Sequence, residues 1–245
     1  MSTTITITVL VDWLHRFHDA VTEKRDWLTE LDSAIGDADH GANMARGMTA
    51  AVDKVDQTGP ATADELFKTV GMTLVSTVGG ASGPLYGTFF LRLGTALGPV
   101  TEVDPAALAA GLRAGLDGIV ARGKAEAGDK TMFDAVSPAI AALDAAVAEG
   151  ADPAAATARA AVAAAEGRDA TIALVAHKGR ASYLGERSAG HMDPGSASAT
   201  LVASVPRIGA PSASTPAPAA SRTGTDPPGT ICWASSSDAS ASRAL

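Results

Sequence analysis

The chain has 245 residues, 46% of them hydrophobic, and carries a formal net charge of −8. This length and apolar content can bury a sizeable core, so we expect one domain of about 200 residues plus an extension. The acidic balance argues against nucleic acid as a partner, because binding phosphates requires a basic surface. The single cysteine, Cys232, cannot form an internal disulfide, and no apolar run is long enough to span a bilayer. We therefore expect a soluble, cytoplasmic protein that binds neither nucleic acid nor membrane.

Apolar residues recur at helical intervals along most of the chain, which predicts about eight helices and an all-α fold. The stretch from Thr3 to Thr8 alternates in character and is interpreted as an extended lead-in. One helical pattern then runs from Leu10 to Leu31. Asp-Pro pairs at 104–105, 152–153 and 193–194 indicate helix starts, because Asp caps a helix and Pro suits its first turn. Further helical patterns cover approximately 44–55, 66–78, 84–97, 133–149 and 154–165.

A dense acidic segment follows the first helical pattern. It holds Asp32, Asp37 and Asp39, and Gly36 and Gly41 supply the backbone freedom that would let these carboxylates converge. Hard oxygen ligands favour Mg²⁺ or Ca²⁺ over zinc. The same residue types also build turns and helix N-caps, and Asp39 could simply cap the helix that follows. The spacing alone leaves a metal or phosphate site and a capped turn equally open.

Three later segments combine glycine with polar residues at the junctions between helical patterns. Val78–Gly87 is rich in glycine and offers unobstructed backbone N–H groups to an anion. Arg122–Met132 is a second polar, glycine-bounded loop, and Lys178–Gly195 concentrates basic and acidic side chains. Free N–H groups and helix dipoles at such junctions favour phosphate binding.

From about Leu10 to about Ser198, the chain resembles the nucleotide-binding L subunit of the dihydroxyacetone kinases. The resemblance is carried by four motifs, which occur in the family's order and at compatible spacing. They are Ile35–Gly41, Gly79–Pro84, Gly128–Met132 and Gly179–Arg187. This resemblance implies an antiparallel eight-helix barrel with the nucleotide held by loops at one rim, whereas periodicity alone supports only an all-α bundle.

The resemblance also implies residue roles. Asp32, Asp37 and Asp39 match the ligands of two Mg²⁺ ions that bridge to the diphosphate of ADP or ATP. Arg180 matches the catalytic residue that stabilises charge on the transferring phosphoryl group. The matched nucleotide contacts are His40, Gly41, Ala42, Asn43, Ala81, Ser82, Gly123, Met132, Arg180, Asp193, Pro194 and Gly195.

Some of these motif residues have plainer interpretations. Ser82 could be only a helix cap, and Met132 only a core residue. Lys130, Glu186 and Arg187 are interpreted as a surface ion-pair set or a docking surface and are left out of the catalytic residues.

The function implied by the resemblance is that of a kinase subunit that is active only with partners. ADP stays bound and is rephosphorylated in place by a phosphohistidine donor protein, and the phosphoryl group passes to dihydroxyacetone on a separate K subunit. A homodimer is a possible assembly. Two alternatives stay open. One is an ATP-exchanging L subunit for another small ketose or polyol, and the other is a non-catalytic nucleotide-binding regulator that acts by partner docking.

The end of the chain departs from the family pattern. The last helical pattern reaches only about Val205 before Pro206, Gly209 and Pro211 interrupt it. Residues 206–245 mix Ser, Ala, Thr, Pro and Gly without a helical period, so we predict a disordered tail after an L-type domain of residues 1–205. A reading-frame shift and a natural low-complexity tail both explain this composition. Either one puts closure of the barrel by a truncated last helix in question.

Overall fold

The structure is a computed structural model that describes residues 4–204. The predicted tail, 206–245, lies outside the described residues. Two short strands pair antiparallel, and nine α-helices make up most of the described chain. Their bounds are β1 Ile5–Thr6, α1 Ile7–Glu23, α2 Arg25–Ile35, α3 His40–Thr58, α4 Ala63–Thr77, α5 Ser82–Leu97, β2 Glu102–Val103, α6 Pro105–Gly123, α7 Met132–Ala148, α8 Pro153–Ala170 and α9 Pro194–Ser204. Short 3₁₀ helices at Thr171–Ala173 and Arg180–Ser188 lie between α8 and α9.

The prediction of an all-α fold is confirmed, and two of its details are corrected. The single pattern from Leu10 to Leu31 is two helices, because the backbone leaves helical geometry at Lys24 (φ −94°, ψ 9°). Within the described residues, the extended lead-in is a strand at Ile5–Thr6, which pairs with Glu102–Val103, and α1 already begins at Ile7.

The three Asp-Pro helix starts are confirmed in their predicted form. Each aspartate accepts a hydrogen bond from the backbone N–H three residues later, which satisfies one of the free donors at a helix start. The bonds run from Ala107 to Asp104 (2.8 Å), from Ala155 to Asp152 (3.0 Å) and from Ser196 to Asp193 (2.6 Å).

Small residues allow neighbouring helices to approach closely. A Cβ atom added at Gly87 in α5 would lie 2.3 Å from Val75 Cγ2 and 2.8 Å from the carbonyl oxygen of Gly71 in α4. Alanines 156, 160 and 164 are the buried residues of α8, and this helix packs against α7 and α9. The alanine-rich pattern therefore packs closely, as its low bulk predicts.

Successive helices contact one another along the chain, and α9 also contacts α1 and α2. The indole N–H of Trp13 in α1 donates to the carbonyl oxygen of Val202 in α9 at 3.0 Å. The main core fills the space between these helices, with Phe67 stacked on Phe90 at a centroid distance of 6.0 Å. Among the helices described, none is long and apolar enough to cross a membrane.

Candidate functional site

A cavity of about 290 Å³ opens where the N-termini of α3, α5, α7 and α9 come together. It brings together every predicted site residue except Gly41 and Ala42, which do not line it. Gly41 instead allows α3 to approach α2, since a Cβ atom there would lie 2.0 Å from the carbonyl oxygen of Arg25. Four segments far apart in sequence thus line one cavity.

The three aspartates of the acidic segment converge at the edge of this cavity. Each of Asp32, Asp37 and Asp39 offers a carboxylate oxygen, and these oxygens lie within 4.8 Å of one another. Ala38, between the last two, adopts a left-handed backbone (φ 60°) that turns the chain back on itself. At Gly36 a side chain would require the Asp32 carboxylate to move, because a Cβ atom would lie 2.0 Å from Asp32 Oδ1. Hard oxygen donors at this spacing suit a divalent cation such as Mg²⁺.

The cap of α3 is made by Asp32 rather than by the predicted Asp39. Asp32 Oδ2 accepts the backbone N–H groups of Asp39 (2.8 Å) and His40 (3.1 Å), and the side chain of Asp39 makes no capping bond. The capped-turn interpretation is therefore correct for a different residue. It leaves the Asp37 and Asp39 carboxylates facing the cavity.

Arg180 lies across the cavity mouth from α2 and contacts the acidic segment directly. Its Nη2 is 3.0 Å from Asp37 Oδ2, and both side chains are partly exposed. The predicted catalytic cation and one predicted metal ligand are therefore an ion pair. Solvent screens a pair at this exposure, so its contribution to stability is small.

The N-terminus of α5 presents backbone donors to the cavity. The loop Gly79–Ala81 precedes it, with Gly80 in a left-handed conformation (φ 65°), and no side chain that the structure describes caps the helix at Ala81. Helix N-termini carry a partial positive charge and unpaired N–H groups, which is the arrangement that binds phosphate oxygens. The glycine-rich segment therefore presents backbone donors to the cavity, and anion binding there stays a prediction.

Asn43 points its amide toward this loop. Its Oδ1 accepts a hydrogen bond from Arg46 Nη2 at 2.7 Å, which fixes the orientation of the amide. A Cβ atom at Gly79 would lie 2.9 Å from Asn43 Nδ2, so a side chain at residue 79 would require the Asn43 amide to move. The amide nitrogen is then the Asn43 group nearest the glycine loop.

His40 joins the cavity to the core through a chain of hydrogen bonds. Its Nδ1 is 3.2 Å from Ser82 Oγ, its Nε2 is 2.8 Å from Ser198 Oγ, and Ser198 Oγ is 2.8 Å from the hydroxyl of Tyr86. Burial lowers the pKa of His40 below its ordinary value, although Asp32 and Asp39 act in the opposite direction. Burial also raises the pKa of the Tyr86 phenol. The neutral imidazole can donate at one nitrogen and accept at the other, so it can join the two serines.

Met132 and Gly123 lie on the adjoining wall. Met132 is the first residue of α7, is buried, and lines both this cavity and an apolar one bordered by Trp13 and Phe89. It is therefore both a core residue and a site residue. The α7 start is fixed by a capping box in which Thr131 Oγ1 accepts the N–H of Phe133 (3.2 Å) and Asp134 Oδ2 accepts the N–H of Thr131 (2.8 Å).

Lys130 is the site residue that sequence reasoning missed. It is 1% exposed rather than at the surface, so its interpretation as part of a surface ion-pair set is wrong. Its ammonium donates to the carbonyl oxygens of Thr171 (2.7 Å), Leu174 (3.0 Å) and His191 (2.5 Å). Burial lowers the pKa of Lys130, and the carboxylate of Asp193 opposes that effect.

Asp193 is a buried carboxyl group at the start of α9. Burial raises its pKa to about 7, the N–H of Ser196 lowers it, and the nearby Asp134 raises it further. Pro194 and Gly195 continue the cavity wall beyond it. Polar groups of strongly altered pKa inside a cleft are typical of functional sites.

The geometry defines an all-α protein in which helix N-termini and an acidic cluster enclose a cavity suited to a phosphate and a divalent cation. Residues 34–205 match the family model of the DAK2 domain. The chain belongs to the DAK2 domain family.

Relatives of similar length support this placement. The chain is 45% identical over 195 residues to the ADP-binding subunit DhaL of the PEP-dependent dihydroxyacetone kinase of Escherichia coli, covering 78% of this chain and 91% of that one. It is 46% identical over 190 residues to the ADP-binding subunit DhaL of PEP-dependent dihydroxyacetone kinase 1 of Listeria innocua, covering 78% of this chain and 90% of that one. It is 42% identical over 200 residues to the ADP-binding subunit DhaL of the PTS-dependent dihydroxyacetone kinase of Lactococcus lactis, covering 81% of this chain and 95% of that one. The resemblance to dihydroxyacetone kinase L subunits is thereby confirmed.

The fold also matches solved structures. The native dihydroxyacetone kinase of C. freundii superposes with a TM-score of 0.62 at 24% identity, covering 83% of this chain and 34% of that one. The same kinase in complex with AMP-PNP and Mg²⁺ gives a TM-score of 0.63 at 23% identity. This chain therefore corresponds to about a third of that longer kinase, and the similarity supports the fold.

Proposed function

We propose that the chain is the ADP-binding, phosphoryl-transferring subunit of a dihydroxyacetone kinase. One observation carries the proposal: the N-terminus of α5, which no described side chain caps, and the aspartate cluster face one cavity. An anion at the first and a cation at the second would neutralise each other, as in a metal-bound diphosphate. The names of the relatives, which are ADP-binding subunits, support the same ligand.

In this proposal each wall of the cavity has a role. The oxygens of Asp32, Asp37 and Asp39 would hold Mg²⁺, two ions being our prediction, and the metal would offset the charge of the diphosphate. The N–H groups at Ala81 and Ser82 would bind phosphate oxygens. Gly123 and Met132 would face the adenine and ribose. We propose that the remaining residues predicted as nucleotide contacts also bind the nucleotide. They are His40, Gly41, Ala42, Asn43, Asp193, Pro194 and Gly195.

Arg180 is proposed to stabilise the transferring phosphoryl group. Its guanidinium already lies next to the acidic cluster through Asp37, and its side chain is flexible enough at that exposure to turn toward a phosphate. Planar guanidinium groups match phosphoryl oxygens in geometry and in charge, and they act where negative charge develops.

We further propose that the helices close into the barrel that the family resemblance implies. The contacts of α9 with α1 and α2 on one side and with α7 and α8 on the other support closure. In that arrangement the nucleotide cavity lies at one rim, where the N-termini of alternate helices meet. Closure would then be achieved within the described part of α9.

The partners are proposed from the relatives. PEP-dependent and PTS-dependent kinases are named among them, which favours a phosphohistidine donor protein and a K subunit that holds dihydroxyacetone. Erythrulose kinases are 34% identical to this chain, so another small ketose is the second candidate substrate; the chain spans about a third of their length. A homodimer and a cytoplasmic location stay predictions.

Calorimetric titration of ADP tests the nucleotide and metal assignment. We expect Asp37→Asn to weaken ADP binding in the presence of Mg²⁺ and to have little effect in EDTA, because the variant loses a metal ligand and no core contact. Asp53→Asn is the matched control, since it makes the same replacement on the exposed face of α3. Equal ADP affinity of the wild type with and without EDTA would rule out the metal assignment.

A transfer assay tests the division of labour. Dihydroxyacetone phosphate is expected only when a K subunit and a phosphoryl donor are added. Product formed by the purified chain alone would contradict the proposal, and Mg-ADP binding without transfer in the complete mixture would favour the regulatory alternative.

A further inference from the structure

We infer that Lys130 is a positioning residue that holds the segments carrying Arg180 and Asp193 against the nucleotide cavity. The inference rests on the proposed ADP site and adds to it a residue that does not itself need to touch the reacting atoms.

The first argument is the geometry of the ammonium. A lysine ammonium has three N–H donors. In this structure all three have carbonyl acceptors, on Thr171 at 2.7 Å, Leu174 at 3.0 Å and His191 at 2.5 Å. Carbonyl oxygens can only accept, so the arrangement suits the charged ammonium and no neutral side chain of similar length. Because the ammonium is buried, removing it would leave three carbonyl oxygens without this donor, and each unsatisfied carbonyl would lower the stability of the folded protein.

The second argument is where those carbonyls lie. Thr171 and Leu174 begin the segment that leads to Arg180, and His191 lies two residues before Asp193, at the start of α9. These two segments are also joined by a bond from the N–H of Gly190 to the carbonyl oxygen of Ile172 (2.7 Å) and by one from the N–H of Asp193 to Thr171 Oγ1 (3.1 Å). Lys130 is thus the charged centre of a small hydrogen-bond network between the two segments.

The third argument is the backbone of Lys130 itself. It has φ +62°, a left-handed conformation that costs free energy for any residue other than glycine. Residues kept in such conformations cluster at functional sites, where their surroundings hold them. Here the backbone places the side chain beneath the cavity and lets Thr131 cap α7, so one strained residue positions Met132 and the Lys130 ammonium together.

Lys124 provides a matched control. It is also a lysine with a left-handed backbone (φ +52°), at the C-terminal end of α6, but its side chain is exposed to solvent. Replacing both lysines with Met therefore makes the same chemical change on the same type of backbone. The two sites differ because the ammonium of Lys130 bonds to three carbonyl oxygens, whereas the side chain of Lys124 is exposed to solvent.

The test begins with the free protein. Nitrogen-15 NMR of the lysine ammonium groups should show one resonance protected from exchange with water, and it should vanish in Lys130→Met but persist in Lys124→Met. Mg-ADP affinity is then measured by calorimetry below the melting temperature. We expect Lys130→Met to weaken binding by about tenfold or more, because a small displacement of contact groups is costly, and Lys124→Met to bind like the wild type.

A double-mutant cycle separates positioning from general stability. If Lys130 acts through Arg180, then Lys130→Met combined with Arg180→Ala should weaken Mg-ADP binding by less than the product of the two single effects. If Lys130 had only a structural role, Lys130→Met would lower the melting temperature, and the losses of Mg-ADP affinity from Lys130→Met and Arg180→Ala would multiply. Unchanged affinity in folded Lys130→Met, or effects that multiply, would overturn the inference.

If Lys130→Met does not fold, Lys130→Arg carries the test, since a planar guanidinium keeps the charge but cannot direct three donors as an ammonium does. Weakened Mg-ADP binding by folded Lys130→Arg supports the inference, and binding equal to the wild type overturns it. Absence of ADP binding by the wild type would instead refute the proposed function, and the NMR experiment would still report on the three hydrogen bonds.

Discussion

The pKa of Asp193 gives the sharpest quantitative prediction for this fold. Its carboxyl group is buried at the start of α9, and burial raises the pKa from an ordinary value of 3.8 to about 7. The N–H of Ser196 donates to it at 2.6 Å, so a side-chain oxygen is needed here as a helix cap. Asp193→Asn keeps an oxygen acceptor of the same shape and removes the ionisation. The variant therefore isolates the effect of the charge.

The sign follows from proton binding in the two states. Between pH 4 and pH 7, approximately, the folded protein keeps the Asp193 proton and the unfolded chain has lost it. The contribution of the Asp193 proton to the free energy of unfolding is therefore fully present below the pKa that Asp193 has in the unfolded chain. It falls as the pH rises and is lost above a pH of about 7. At 1.36 kcal/mol per pH unit, the wild type loses at most about 4 kcal/mol of unfolding free energy across this range through Asp193. The Asn variant loses none of it.

Urea unfolding without Mg²⁺ or nucleotide, measured at intervals from pH 4.5 to pH 8, tests this prediction. The Asn variant should gain stability relative to the wild type as the pH rises. Asp152→Asn is the matched control, because Asp152 caps α8 through the same type of bond but is exposed. Parallel stability curves for the wild type and Asp193→Asn would refute the argument that burial dominates at this residue.

Three further predictions concern the core and the domain boundary. Tyr86→Phe removes a buried hydroxyl 2.8 Å from Ser198 Oγ and should lower the unfolding free energy by about 0.5–1.5 kcal/mol in urea melts; an unchanged midpoint would contradict this role. Gly87→Ala places a methyl group against α4 and should cost about 1–3 kcal/mol with helical circular dichroism retained, whereas a neutral effect would mean that α4 and α5 can separate freely. Deleting residues 206–245 should leave Mg-ADP affinity unchanged in calorimetry, because the described residues that line the cavity all lie between 32 and 195; weakened binding would contradict the predicted domain boundary.

Much of the fold could be predicted because its signals are local. Helical periodicity predicts the all-α class, and each Asp-Pro pair predicts a helix start within one residue, since the cap and its donor lie three residues apart. The break at Lys24 could not be predicted in this way. The apolar period continues across it, through Val21 and Leu28, and neither Gly nor Pro marks it.

The site could be predicted where its residues form motifs and not where it depends on contacts distant in sequence. The aspartate cluster and the glycine loop each lie within one short segment, so their chemistry is visible in the sequence. Lys130, by contrast, bonds to carbonyls 41, 44 and 61 residues away, and a lysine in a polar loop is ordinarily exposed. Ser198 likewise meets His40 across 158 residues. Only the packed structure reveals those partners.

The acidic character of the site has a physical logic that its sequence does not reveal. Four helix N-termini meet at the cavity, and each could attract an anion. At three of them a carboxylate accepts backbone N–H groups: Asp32 accepts those of Asp39 and His40 at α3, Asp134 accepts that of Thr131 at α7, and Asp193 accepts that of Ser196 at α9. Among the described residues no carboxylate does so at the start of α5, which supports our proposal that the phosphate binds there. Part of the negative charge of these segments thus bonds to backbone N–H groups at helix starts, and the distribution of these carboxylates supports the phosphate position that we propose at α5.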